Sequence, residues 1–203
     1  MNKFDYVRNI LLSDNKRSKT AKLLDVGCRG CELKSYVSDL LNYEGVDLFQ
    51  NPSGSVNYVL DVSRGIPLKD NSYEYVVALD LVEHLDDFEG GLNELLRLTN
   101  HRLILMLPNM AHVFFRVNFL FKGRISGKYD MYYKMGRDRH RWLTTQVQVD
   151  EILKQFSIDH NLKLTVRWFT DSPKLNFFAR CCRMLSISPN LWSWASLYVL
   201  EKD

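Results

Sequence analysis

The sequence lacks an apolar run long enough to cross a membrane, and cysteine and proline are scarce in it. Its beginning, MNKFDYVRNILLSDNKR, also lacks the unbroken apolar stretch of a secretory signal peptide, so we expect a cytoplasmic protein. The four cysteines form two local pairs, Cys28 with Cys31 and Cys181 with Cys182, which we expect to be reduced thiols in that compartment. These pairs make a poor zinc site, because adjacent cysteines seldom point at the same metal ion.

The 203 residues contain no repeat, low-complexity tract or linker, and their 46% apolar and 25% charged residues are ordinary for a globular protein. The sequence therefore predicts one domain over residues 1–203, with insertions at about 108–144 and 171–189. Its charge is unevenly divided. Residues 1–100 hold 11 Lys and Arg against 16 Asp and Glu, whereas residues 101–203 hold 16 against 8. This asymmetry predicts two tasks for one domain.

Short apolar segments alternate with helical patterns along the chain, which is typical of an α/β fold built on a parallel sheet. The pattern predicts strands at about 22–27, 44–48, 56–61, 74–80, 102–107, 162–170 and 192–200. It predicts helices over the amphipathic first residues and at about 32–42, 88–98 and 145–157.

Four aspartates end four consecutive predicted strands: Asp25, Asp47, Asp61 and Asp80. After the first strand come a glycine turn at Gly27 and a helix start, whose free N–H groups suit a carboxylate or a phosphate. Because parallel strands end at one edge, these side chains should gather where open α/β sheets bind ligands. One such aspartate is often only a turn residue or a helix cap, but four in register with a glycine turn favour a binding site.

Four segments resemble motifs of the class I S-adenosylmethionine-dependent methyltransferases, most closely those of a small bacterial branch. They are LLDVGCRGC, GVDL, LDVSRGIPL with DNSYEYVVALDLVEHL, and RLILMLPN, and they span about residues 20–110 in the family's order. HRWLTTQVQVDEIL at 140–153 is similar to a later family segment. The resemblance implies an α/β, Rossmann-like sheet of seven mostly parallel strands with helices on both faces and an antiparallel last strand. It also implies methyl transfer from S-adenosylmethionine, the expected cofactor.

The resemblance implies a role for each matching residue. Asp25 and Gly27 would shape the loop under the methionine portion of the cofactor. Asp47 would hold the ribose hydroxyls, Asp61 would face the adenine, and Asp80 would lie beneath the sulfonium. The complete set of expected cofactor-binding residues is Asp25, Gly27, Cys28, Gly30, Asp47, Leu48, Asp61, Val62, Asp80 and Leu81.

The loop after the first strand departs from the family pattern, because Arg29 and Cys31 stand where the family has glycine. Gly30 offers an adjacent flexible residue, so we expect the loop to turn and to bind the cofactor. Arg29 could bind the cofactor carboxylate, cap the site or point into solvent. A nicotinamide-binding domain is set aside, since only Gly27 of the three glycines in G-x-G-x-x-G is present. A non-catalytic scaffold with weakened cofactor binding is the rival hypothesis.

The segment Asp80-x-x-Glu83-His84 follows the fourth predicted strand. His84 is the candidate general base for a hydroxyl acceptor, because histidine exchanges protons near neutral pH. A structural hydrogen bond or a helix cap is the plainer alternative. Relatives with E-x-x-E-H bind a divalent cation, but here the first glutamate is an aspartate, and His112 or His140 would have to complete the ligand set. We assign no metal on this basis.

Residues 122–141 hold seven Lys and Arg against two Asp and are interleaved with tyrosines. This composition suits a small or carrier-linked anionic acceptor that bears a sugar or a phosphate. It is also compatible with nucleic acid, which we do not favour, with peripheral membrane contact, and with a solvated loop. The apolar stretch 110–124 is expected to be a helix that covers the core. The predicted acceptor-binding residues are Arg137, Arg139, His140, Arg141 and Trp142.

Overall fold

The computed structural model describes residues 2–18, 20–125, 128–129, 139–170 and 175–202, apart from the side chains of residues 175, 176 and 178. The strands are β1 (Lys22–Val26), β2 (Asn42–Asp47), β3 (Tyr58–Val59), β4 (Tyr73–Leu79), β5 (Thr99–Pro108), β6 (Lys163–Phe169) and β7 (Ala195–Glu201). The helices are α1 (Lys3–Leu12), α2 (Lys34–Val37), α3 (Phe88–Leu98), α4 (Val113–Lys122), α5 (Gln146–Asp159), α6 (Leu175–Met184) and α7 (Pro189–Trp192). Two 3₁₀ turns, Val62–Arg64 and Val82–His84, follow β3 and β4.

The seven strands form one sheet in the order β3-β2-β1-β4-β5-β7-β6. Strands β1 to β5 are parallel to one another, whereas β7 runs antiparallel to both β5 and β6. The predicted Rossmann-like, mostly parallel sheet with an antiparallel last strand is therefore confirmed. Chain order reverses between β1 and β4, and open α/β sheets bind their ligands at the carboxyl ends of such a pair.

Alternating burial of strand residues builds a core on each face of the sheet. In β4, Val76 and Ala78 pack into the cluster that contains residues of α3 and α5, and Tyr75 and Val77 pack into the cluster that contains residues of α1. This alternation follows from the two-residue period of a strand. Helices therefore cover both faces, as predicted.

Two elements are shorter than their predicted ranges. The helix predicted at 32–42 is α-helical only over Lys34–Val37, because β2 begins early, at Asn42, which pairs with Lys22 of β1. The strand predicted at 56–61 is reduced to Tyr58–Val59, since only two residues of β2 are available to pair with it. The chain after β3 instead forms a 3₁₀ turn, which brings Asp61 to the edge of the sheet as its cap.

The first predicted insertion leaves the end of β5 and closes back on it. The Met110 N–H donates to the Thr144 carbonyl at 2.8 Å, and the Thr144 hydroxyl donates to the Pro108 carbonyl at 2.7 Å. The expectation that the helix inside it covers the core is wrong, because no residue of α4 is buried. Among the described residues, no helix is long and apolar enough to span a bilayer.

Candidate functional site

A cleft of about 690 Å³ opens at the carboxyl edge of the sheet, beside the ends of β1, β2 and β4. Three of the four strand-end aspartates line it, so the structure brings Asp47, Asp61 and Asp80 together as expected. The lining residues are Val26, Gly27, Arg29, Val46, Asp47, Leu48, Phe49, Leu60, Asp61, Val62, Ser63, Asp80, Leu81, His84, Leu85, Asp86 and Arg141. Sequence reasoning missed Phe49, which directly follows the GVDL segment, and Leu60, the first residue of LDVSRGIPL.

The loop after β1 makes its turn with three residues in the left-handed region: Gly27 at φ +79°, Arg29 at +48° and Cys31 at +57°. Glycine is favoured at position 27, since a side chain is strained at φ +79° and a Cβ there would lie 3.1 Å from the Leu81 side chain, which is tighter than most real contacts. Gly30 lies outside the left-handed region, so the expectation that it supplies the turn is wrong. Arg29 and Cys31 instead adopt the backbone shape that glycine would have had.

Hydrogen bonds from β2 and from the segment after it hold this loop in place. The N–H groups of Gly27 and Cys28 both donate to the Val46 carbonyl, at 2.8 and 3.1 Å. The side-chain amide of Asn51 donates to the Arg29 carbonyl at 3.0 Å. The left-handed residues are therefore fixed by specific partners, and the loop presents its backbone to the cleft.

The Asp47 carboxylate is positioned by the backbone at the end of β2. Its Oδ2 accepts from the Arg29 N–H at 2.8 Å, and its Oδ1 accepts from the Phe49 N–H at 3.3 Å. A carboxylate has about four lone-pair directions, so two N–H donors leave acceptor capacity. Because Asp47 lines the cleft, that capacity can serve a pair of ligand hydroxyls.

Asp25, Cys28 and Gly30 do not line the cleft, although sequence reasoning grouped them with the cofactor residues. Asp25 is buried behind the loop, where the Tyr43 hydroxyl donates to it at 2.8 Å. Burial raises the pKa of Asp25 to about 7. Burial also raises the pKa of the Cys28 thiol, which packs against Cys31. These residues therefore support the loop from the interior of the protein and do not line the cleft.

Asp61 and Asp80 reach the cleft with their carboxylates already engaged. Asp61 accepts from the backbone N–H and the hydroxyl of Ser63, at 3.0 and 2.6 Å. Asp80 has a left-handed backbone, with φ +57°, and pairs with the Lys3 ammonium of α1 at 2.7 Å. The 77 residues between Lys3 and Asp80 leave no local sequence signal for this contact.

Glu83, His84 and His140 converge beside the cleft, and one ligand atom of each lies within 4.8 Å of the other two. His84 Nδ1 lies 2.8 Å from the Arg139 carbonyl, which can only accept, so that nitrogen carries the proton and Nε2 carries the lone pair. His140 Nδ1 lies 3.1 Å from the Tyr129 hydroxyl, and its Nε2 lies 3.9 Å from Glu83 Oε1. Both rings therefore have Nδ1 fixed by a protein partner.

The Glu83 carboxylate is fully buried, and neither oxygen has a hydrogen-bond partner in the part of the chain that the structure describes. Burial, reinforced by the charge of Asp80, raises the pKa of Glu83 to about 8. Asp80 is not part of the cluster, and His112 is instead buried at the start of α4, where its Nδ1 accepts from the Phe114 N–H. A buried carboxylate between two oriented imidazoles can share a proton or bind a cation.

Residues 139–142 lie against the 3₁₀ turn after β4. The N–H groups of Arg141 and Trp142 donate to the Glu83 carbonyl at 2.8 and 3.3 Å. Arg141 lines the cleft and pairs with Asp86 at 2.9 Å, whereas His140 turns toward Glu83. Arg139 and Trp142, which were also predicted to bind the acceptor, do not line the cleft, and Arg137 lies outside the described residues.

Residues 24–106 match the family model of the methyltransferase domain. Across 99% of this chain and 95% of the other, the fold is similar to a SAM-dependent methyltransferase from Archaeoglobus fulgidus, with 16% identity and a TM-score of 0.64. The methyltransferase domain of bacterial CtHen1-CN is 15% identical over 98% of this chain and 97% of its own, with a TM-score of 0.61. No curated protein matches the sequence.

A third similar structure contains a product of methyl transfer. Magnesium protoporphyrin IX methyltransferase from Synechocystis PCC 6803, solved with bound SAH, is 13% identical over 98% of this chain and 81% of its own, with a TM-score of 0.61. At these identities the structural matches show the fold, and the family match adds the domain type.

Proposed function

We propose that the chain is a class I S-adenosylmethionine-dependent methyltransferase that methylates an oxygen atom of an anionic acceptor. The acceptor in this proposal is a small or carrier-linked molecule that bears a sugar or a phosphate. One observation carries it: Arg141 and His84 line the same cleft as the strand-end carboxylates, so an anion-binding group and a proton acceptor meet over the expected cofactor position.

The family resemblance suggests the cofactor contacts, and the geometry of the cleft supports them. The Asp47 carboxylate would accept the two ribose hydroxyls with the lone pairs that the N–H groups of Arg29 and Phe49 leave to it. Asp61 and Val62 would bind the adenine, and Leu81, which lies next to Gly27, would contact the cofactor near its sulfonium. The backbone of the loop after β1 would hold the methionine portion.

Methyl transfer requires the protein mainly to align the acceptor with the methyl donor and to exclude water. When bound, S-adenosylmethionine would supply an electrophilic methyl group for transfer to the acceptor oxygen. The hydroxyl proton passes to the His84 imidazole, which lines the cleft and is oriented by its Nδ1 contact with the Arg139 carbonyl. Glu83 lies beside the ring and can take up or share the proton, because burial raises its pKa to about 8.

The convergence of three ligand atoms favours a second role for the same cluster. Glu83, His84 and His140 would hold a divalent cation, which supplies Lewis-acid activation of the acceptor hydroxyl. The donor set fits, because two imidazoles with Nδ1 fixed by protein partners and a carboxylate suit a divalent first-row metal ion with open positions.

A measurement of metal binding distinguishes a cation site from a role of His84 as general base without a metal. If the cluster holds a cation, calorimetry with Mn²⁺ shows binding that Glu83→Gln abolishes and that the exposed control Glu151→Gln leaves intact. If His84 acts alone, no Mn²⁺ binds, methyl transfer survives a chelator, and His84→Ala lowers kcat by about a hundredfold with cofactor affinity unchanged. Full activity of His84→Ala under chelation would exclude both roles.

A screen of metabolite extracts with methyl-labelled cofactor tests the acceptor class. We expect label in an anionic, sugar- or phosphate-bearing product. The double variant Arg139→Ala with Arg141→Ala should raise the acceptor KM by at least about tenfold with little change in cofactor affinity. The matched double control is Lys22→Ala with Lys163→Ala, which removes two cations from the starts of β1 and β6 at the opposite edge of the sheet.

Label in a neutral small molecule or in RNA would overturn the acceptor proposal, as would intact acceptor kinetics in the arginine double variant. A cytoplasmic location is part of the proposal, and the free thiols of all four cysteines are compatible with it.

A further inference from the structure

Helix α4 is apolar and exposed at the same time. Seven of the ten residues in VFFRVNFLFK are apolar, yet none is buried. Phe114 and Phe115 in the first turn make ring contacts with Trp194, although Phe114 is 58% exposed. In the last turn the exposed fractions are 57% for Phe119, 77% for Leu120 and 79% for Phe121. Contiguous apolar surface of this kind marks an interaction site in a folded protein.

The described charged residues on α4 and directly after it have one sign. The sequence contains no acidic residue between Glu94 and Asp130, and the exposed charged side chains on and after α4 are Arg116, Lys122 and Arg124. A partner must therefore accept apolar side chains and carry negative charge close to them.

Helix α6 repeats this combination, and both α4 and α6 contact α7. On α6, Phe177 is 76% exposed. The apolar residues Met184, at the end of the helix, and Leu185, directly after it, are also exposed. Its cations are Arg180 and Arg183. The sequence has no acidic residue between Asp171 and Glu201, so this surface too is basic and apolar.

We propose that α4, together with the end of α6, docks on the surface of an anionic phospholipid bilayer. The apolar side chains enter the region between head groups and acyl chains, and the arginines and lysines lie among the phosphates. A helix of ten residues is about 15 Å long, roughly half the hydrocarbon thickness, so it lies along the surface.

Charge argues against a second copy of the chain as the occupant. A twofold contact would place this surface against itself, cation opposite cation, with no acidic residue from either copy in these two segments. An anionic bilayer satisfies both the apolar and the basic parts of the surface. The inference does not depend on the identity of the methyl acceptor.

The test is co-sedimentation of the full chain with vesicles. We expect binding to phosphatidylcholine vesicles that contain about one third phosphatidylglycerol, at least tenfold weaker binding to pure phosphatidylcholine, and a loss of binding as salt is raised. Equal binding to both vesicle types, or none to the anionic type, overturns the proposal.

Matched variants locate the contact. Leu120→Ser with Phe121→Ser should lower binding to anionic vesicles by at least tenfold, because each removes an apolar side chain that would leave water. Ile152→Ser with Ile158→Ser, at two exposed apolar positions on α5, is the control and should leave vesicle binding unchanged. Thermal unfolding of both pairs verifies that they fold.

An equal loss of vesicle binding in both pairs would overturn the assignment to α4. A concentration-dependent dimer in sedimentation velocity that Leu120→Ser with Phe121→Ser abolishes, without vesicle binding by the parent chain, would assign this surface to a second copy instead.

Discussion

At the scale of single residues, the loop after β1 shows that other residues can replace motif glycines while the backbone still makes the turn. Arg29 and Cys31 occupy family glycine positions and adopt left-handed backbone angles. The sequence shows the departure, but it does not show the compensation, which comes from Asn51 and Asp47 binding the Arg29 backbone from 22 and 18 residues away. A left-handed non-glycine residue costs about 1 kcal/mol or more.

Replacing Arg29 by glycine should remove the backbone strain of a left-handed non-glycine residue. We expect Arg29→Gly to raise the free energy of unfolding by about 0.5 kcal/mol, since relief of the left-handed strain exceeds the added chain entropy of glycine. The control is Arg64→Gly, at an exposed position in a 3₁₀ turn without positive φ, which should destabilise by a similar amount. Urea unfolding measures both, and equal destabilisation would contradict the strain argument.

The buried Asp25 should make stability depend on pH. Its folded pKa is raised from 3.8 to about 7 by burial, so between these values the unfolded chain releases a proton that the folded chain keeps. Its contribution is therefore complete below pH 3.8 and is lost as pH rises toward about 7.

Asp25→Asn removes this titration and keeps an acceptor for the Tyr43 hydroxyl. The variant should gain stability over the parent as pH rises from about 4 to 7, by up to about 4 kcal/mol, and then stay level. Denaturant unfolding across this range measures the gain, with the exposed Asp159→Asn as control. A gain that does not grow with pH would contradict the account of Asp25.

At the scale of elements, periodicity in the sequence predicts which segments are strands and helices. It does not predict whether another part of the protein packs over them. The apolar run of β4 and the strand-end aspartates were sufficient to predict the parallel sheet and its binding edge. The exposure of α4 could not be predicted, because an apolar helix looks the same in sequence whether or not a core faces it. The meeting of Glu83 with His140 also needed the folded chain, since 57 residues separate them.

The start of α3 gives a prediction at this scale. Asp87 caps the helix by accepting from the Gly90 N–H at 2.8 Å, so Asp87→Ala should cost about 1 kcal/mol of unfolding free energy. The neighbouring Asp86 makes only an exposed ion pair with Arg141, and Asp86→Ala should change stability by less than about 0.5 kcal/mol. Thermal or urea unfolding compares the two, and equal effects would show that the cap does not stabilise α3.

At the scale of the whole molecule, the uneven charge of the sequence corresponds to two regions of the fold. The acidic first half supplies most of the cleft lining, and the basic second half supplies Arg141, α4 and α6. Helix α4 begins five residues after β5 ends, at the sheet edge that carries the cleft. If both proposals hold, a bilayer under α4 would bring a lipid-borne acceptor to the edge where methyl transfer occurs.

The most direct test of the central claim is calorimetric titration of the folded chain with S-adenosylmethionine. We predict binding by the parent chain, a loss of affinity of about ten- to a hundredfold in Asp47→Ala, which removes the acceptor for the ribose hydroxyls, and no change in Asp39→Ala, whose exposed side chain pairs with Arg8 away from the cleft. Absence of binding by folded parent protein at millimolar cofactor would favour a non-catalytic scaffold, and unchanged affinity in Asp47→Ala would contradict the placement of the cofactor in this cleft.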